Sequence, residues 1–222
     1  MIKETFKYEY DDLDLDYIEE LKKYVNDNYK DIMDFFKLDS LSRPVKIKIW
    51  SDINDYRNYY NNLYTKYGLN KKIQDWEVLK SSKDEEFRID SISYHIMKDI
   101  KGHNNDTLNY FFKGIIHEFV HTCHEEYSNG YSFPIWFKEG IATLLSHQFD
   151  NKSITFTSSL ENIVNGKADY RNYYLLCKYI LEEYGESYLF KLAGDKELVK
   201  DSTTRIYNEA VDYYKKNNII IK

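Results

Sequence analysis

Apolar and polar positions recur along the chain in two rhythms, and the balance between them shifts near the middle. Residues 3–9 alternate, as do Phe87-Arg88-Ile89-Asp90-Ser91-Ile92, and Val45-Lys46-Ile47-Lys48-Ile49-Trp50 does so strictly. Side chains two apart share one face of an extended chain, so each segment predicts a strand, and the one at 45–50 a half-buried strand. Leu15, Ile18, Leu21, Val25, Tyr29, Ile32 and Phe36 instead return every third or fourth position and predict a long amphipathic helix over about 14–37. Ser40-Leu41-Ser42-Arg43-Pro44 is a turn. A helix near 52–67 ends at Gly68. Residues 69–86 carry neither rhythm. Gly102-His103-Asn104-Asn105-Asp106 reads as a loop ending in a helix cap. Beyond it the helical rhythm dominates, at about 107–126, 135–149, 169–184, 186–193 and 203–217.

Strands thus precede helices. The expectation is an α+β fold: a small, mostly antiparallel or mixed N-terminal sheet with its helices, then a helical C-terminal lobe. It is not the βαβ alternation of a parallel-sheet enzyme. At 222 residues the chain suits one domain, 1–222, with lobes over about 1–127 and 128–222 flanking a cleft. Pro44 and Pro134, the two prolines, each mark a break between elements.

Composition narrows the function classes. Apolar residues make up 42% of the chain, enough for a sizeable core, and the net charge of -6 disfavours nucleic acid and anionic membrane surfaces as partners. No apolar run approaches the ~18–20 residues that span a bilayer. Met1-Ile2-Lys3-Glu4-Thr5-Phe6 lacks the basic start and apolar stretch of a signal peptide. A cytoplasmic protein is expected unless a leader precedes this start. Cys123 and Cys177 sit in apolar helical patterns and read as buried free thiols. The 23 tyrosines, many beside Asn, Lys and Ile, reflect a broad compositional bias, so a single tyrosine proves little.

One segment carries chemistry. His117-Glu118-Phe119-Val120-His121 fits the pattern HExxH. Residues four apart lie on one helix face, ~6 Å apart along the axis, so two imidazoles can converge on one zinc ion. The glutamate between them is placed to take a proton from water at the metal. With 6 histidines in the chain, random placement gives the pattern roughly 0.01 times per chain, so chance is a poor source for it. Leu108, Phe111, Phe112, Ile115, Ile116, Phe119, Val120 and Cys123 form an apolar stripe on the same helix. His117 and His121 fall on the opposite side, near Gly114.

A catalytic zinc site takes three protein ligands and keeps a position open. A metzincin-like extension would require glycine at 124 and histidine at 127, where this chain has His124 and Tyr127. His124 reads as a surface residue or one supporting the ligands, and His95 and His147 as packed or surface residues. Glu139 in Pro134-Ile135-Trp136-Phe137-Lys138-Glu139-Gly140-Ile141-Ala142 is the better third candidate. Its alternative is a glutamate favoured by a helix N-terminus. A turn at Ser128-Asn129-Gly130 lets a second helix pass beside the first, with Gly140 allowing close approach and Trp136 packing beneath the site.

HExxH followed by P-x-W-x-x-E-G-x-A resembles the gluzincin metallopeptidases of the broad thermolysin-like clan. The resemblance is specific over about 117–142. It implies Glu139 as the third zinc ligand. Residues 170–185 resemble the helix that follows the active site in such enzymes, where a tyrosine or histidine stabilises the oxyanion. Tyr170 is the first choice, then Tyr173 and Tyr174. The resemblance also makes the strand near Phe87–Tyr94 the sheet edge that pairs with an extended peptide. Thr143 departs from the pattern, because some relatives carry there a carboxylate that orients a ligating histidine. The expected function is a zinc-dependent peptidase with one Zn2+, acting on a peptide or protein substrate, with Glu118 as general base. The alternative is a catalytically silent metal-binding or peptide-binding module on the same scaffold.

Overall fold

The computed structural model describes residues 5–83, 86–130, 132–150, 152 and 154–216. Positions 3, 4 and 217 of the expected elements lie outside them. The fold is α+β, with a four-stranded mixed sheet near the N-terminus and a helical C-terminal region. The chain forms two compact units, Met1–Lys30 with Leu41–Thr122, and Asp31–Ser40 with Cys123–Lys222.

The first unit is built on strands β1 (Phe6–Glu9), β2 (Val45–Trp50), β3 (Leu79–Lys83) and β4 (Phe87–Ile92), in the order β1-β2-β4-β3. β1 and β4 both run parallel to β2, and β3 runs antiparallel to β4. The parallel pairs follow from helical crossovers: α1 (Ile18–Phe35) lies between β1 and β2, and α2 (Ile53–Lys66) follows β2. β4 is paired on both sides, so the expectation that it forms the sheet edge is corrected. β3 is the edge on that side. It lies within 69–86, where Leu79-Lys80-Ser81-Ser82-Lys83 shows no apolar alternation. Its extended form comes from pairing with β4.

Register assigns the two sheet faces. Phe6, Val45 and Phe87 lie abreast on one. After β4 come the short α3 (Tyr94–Met97) and the long α4 (Leu108–Tyr127), and the Phe6 ring meets Tyr29 of α1 at 5.5 Å and Phe119 of α4 at 5.3 Å. This is the apolar face, with Val45, Ile47, Ile49, Phe87 and Ile89 all buried. The other face carries Lys46, Lys48, Trp50, Arg88 and Asp90 and lies under α2. Asp90 is fully buried there. It accepts from Trp50 Nε1 (2.8 Å), Tyr60 Oη (3.0 Å) and both Nε and Nη2 of Arg88 (3.1 and 2.8 Å). Four donors offset the cost of burying a carboxylate.

The second unit holds α5 (Ile135–Leu145), α6 (Leu160–Val164), α7 (Tyr170–Tyr184), α8 (Glu186–Gly194) and α9 (Lys196–Lys216). α5 ends earlier than its apolar pattern suggests, because His147 takes the left-handed conformation (φ 58) and the Gln148 amide turns back to the Thr143 carbonyl. α9 begins earlier than expected, for its buried stripe starts with Val199, Ser202 and Thr203, whose hydroxyls bond to their own helix. Cys123 and Cys177 are buried free thiols, as expected, and burial pushes both thiol pKa values up. No described helix is long and apolar enough to cross a membrane.

Candidate metal centre

The apolar stripe of α4 is buried from Phe111 to Cys123. That burial fixes the rotation of the helix and with it the direction of the other side. There His117, buried, and Glu118 and His121, half-buried, each bring one donor atom to within 4.8 Å of the others. The two imidazoles stand almost perpendicular, at 87°, with ring centroids 4.7 Å apart. Tetrahedral zinc with Zn–N arms of ~2.0–2.1 Å separates its donors by about 3.4 Å. Two imidazoles and a carboxylate are common ligands of transition-metal ions, and the group is one that could bind a metal.

The carboxylate is held from the sheet. The Ser81 main-chain amide donates to Glu118 Oε2 at 2.6 Å. The Ile92 amide donates to the Val78 carbonyl, so the pairs 80–90 and 82–88 carry the ladder bonds of β3. The amides of Leu79, Ser81 and Lys83 therefore point away from β4, on the free edge of the sheet. Spacing matches helix to strand. Four residues of helix, from Gly114 to Glu118, advance about 6 Å, and two residues of strand, from Leu79 to Ser81, about 6.8 Å. A Cβ on Gly114 would lie 3.0 Å from Leu79 Cδ2. Gly114 therefore leaves room for the edge strand, a role its position beside the histidines did not reveal.

Sequence reasoning missed Ser81, because a main-chain amide has no signature. It also missed Tyr56 of α2, whose fully buried hydroxyl has no hydrogen-bond partner among the described residues. Burial first, then the Glu118 and Asp90 carboxylates, push its pKa far above the ordinary phenol value.

The other candidates belong to the second unit. Glu139 is buried on α5, with Lys138 Nζ 3.3 Å from its Oε1. Gly140 serves α7 rather than the first helix: a Cβ there would lie 2.5 Å from the Tyr173 carbonyl oxygen and 2.6 Å from Cys177 Sγ. Trp136 anchors α5 to α9, its Nε1 donating to Thr203 Oγ1 at 3.1 Å. Thr143 turns its hydroxyl back to the carbonyls of Glu139 and Gly140. Tyr170, 43% exposed, opens α7 beside the cap residue Asp169. The Tyr173 hydroxyl accepts from the Ala168 amide, and that of Tyr174 donates to Asp150. His124 is a buried structural residue, not a surface one. Its Nε2 bonds to the Ala193 carbonyl at 2.9 Å and its ring stacks on Phe36. His95 pairs with Asp16 and His147 with Asp150, both at exposed positions.

No family model, curated protein or solved structure matches the chain.

Proposed function

We infer that the chain is a zinc-dependent peptidase of gluzincin type. Its carrying observation is the group of two imidazoles and one carboxylate from consecutive turns of α4, with donor atoms within 4.8 Å. His117 and His121 would hold one zinc ion, with Glu139 as third protein ligand. Zinc bound there supplies a Lewis acid and brings the pKa of water from 15.7 to about 7. Glu118 takes the proton as water attacks the scissile carbonyl and passes it to the leaving amine nitrogen. Tyr170 stabilises the oxygen on which charge develops. The outward main-chain groups of β3 other than the Ser81 amide, which Glu118 occupies, support a peptide or protein substrate, because an extended chain can add to a sheet edge. A purely structural zinc site usually has four protein ligands and no use for a base. The presence of Glu118 between the histidines favours catalysis over a silent module.

Cleavage of a peptide library, read by mass spectrometry with and without chelator, tests this reading. Wild type is expected to cleave only without chelator. Glu118→Gln is expected to keep its zinc and lose roughly 10²–10⁴-fold in turnover. Retained turnover in that variant rules the mechanism out.

A further inference from the structure

We propose that the Ser81 main-chain amide is the positioning group for Glu118, tying the aim of the base to the edge strand of the sheet. This rests on the peptidase reading for its catalytic consequence, though not for the contact itself. A carboxylate on a helix surface turns freely about its side-chain bonds, and each conformer aims its oxygens differently. A general base works only within hydrogen-bond reach of the proton it takes. Glu118 has two oxygens, and the structure employs one: Oε2 accepts from Ser81 N at 2.6 Å, a short charge-assisted bond. Fixing that oxygen leaves the second to meet water beside the histidines.

The strand is built to supply this donor. Ser81 pairs with Ile89 at a position where the ladder does not use its amide. Its N–H can therefore serve Glu118 without weakening the sheet. Leu79, one pleat earlier on the same side, rests against Gly114, one turn earlier on the same helix. A residue larger than alanine at 114 would press past the Leu79 tip toward the strand that carries the donor. The side chain of Ser81 has no part in this. Ser81→Ala is expected to leave the contact intact, so the constraint falls on the main chain and on Gly114.

Hydrogen exchange followed by NMR tests the contact without any turnover. An outward amide on a sheet edge exchanges quickly unless something else binds it. In wild type the Ser81 amide should exchange at least ~10²-fold more slowly than an unprotected amide. Glu118→Ala should remove at least ~10-fold of that protection at Ser81 while the ladder amides of Lys80 and Ser82 keep theirs. Glu118→Gln, which retains an acceptor oxygen, should preserve most of it. Rapid exchange at Ser81 in wild type, or protection unchanged in Glu118→Ala, overturns the proposal. Replacing the Ser81 amide N–H by an ester oxygen then tests the consequence in zinc-loaded protein. The turnover number should fall about 10-fold, with KM and zinc affinity unmoved. An unchanged turnover number overturns the positioning role. A chain that cleaves nothing in either form sinks the peptidase reading instead, and the exchange result still decides the contact.

Discussion

α4 and α5 both carry candidate metal ligands, but they present them on opposite terms. α4 buries its apolar stripe, and His117, Glu118 and His121 lie on the other side, the first buried and the other two half-buried. In α5, eight of eleven residues are buried, and Glu139 is one of them. A carboxylate placed there costs free energy unless something compensates. On α4 the signal is therefore spacing, since polar residues on that side are ordinary and only their arrangement is informative. On α5 the signal is burial itself, because no packing requirement favours a glutamate among Trp136, Phe137, Ile141 and Ala142.

The sharpest way to break this contrast is Glu139→Leu. If Glu139 is a ligand, zinc affinity falls by more than the 10- to 100-fold that partners outside the coordination sphere cost. Stability without metal should hold or rise by about 1 kcal/mol, since an apolar side chain replaces a buried charge. Zinc titration by calorimetry, paired with thermal melts of the apoprotein, measures both. A Leu variant with wild-type zinc affinity reduces Glu139 to a structural carboxylate.

The glycines of the two helices come next. A Cβ at Gly140 would lie 2.5 Å from the Tyr173 carbonyl oxygen, which cannot yield cheaply, so Gly140→Ala should destabilise by about 3 kcal/mol. A Cβ at Gly114 would lie 3.0 Å from the flexible tip of Leu79, and alanine gains about 1 kcal/mol of helix propensity. Gly114→Ala should therefore stay within about 1 kcal/mol of wild type. Denaturant melts of both variants decide, and equal costs would remove the distinction between a close main-chain approach and a yielding side chain.

The smallest effect lies on β1, at a partly exposed ion group. Hydrogen bonds from Lys46 and Lys48 outweigh burial and hold the Glu9 carboxyl at about 2, below its usual 4.5. A depressed carboxyl pKa contributes stability above the unfolded value, and that contribution is lost as pH falls from about 4.5 to about 2. Glu9→Gln should flatten that part of the stability profile in acid melts, lowering stability slightly at neutral pH and leaving it nearly unchanged near pH 2, where wild type has already lost the contribution.

What could be read from sequence follows from which forces are local. α1, α2, α4 and α7 declare themselves through apolar side chains at helical spacing, and β2 and β4 through alternation. β3 does not, because Ser81 and Ser82 are extended only by virtue of β4 beside them. The start of α9 hides behind Ser202 and Thr203, which fill buried positions as small polar residues. HExxH was legible because four residues of helix make one geometric statement. The Ser81 contact was not, because it joins residues 37 positions apart through an atom every residue but proline possesses. The burial of His124 was hidden for the same reason, since its partner, the Ala193 carbonyl, is 69 residues away.

In the proposed site His117 and His121 together hold one metal ion, with Glu118 beside it and not needed to bind it. Zinc content per chain after loading and exhaustive dialysis, measured by mass spectrometry, decides this. One zinc per chain is expected in wild type and in Glu118→Gln, and almost none in His117→Ala or His121→Ala. Equal zinc in all four proteins, or none in wild type, contradicts it.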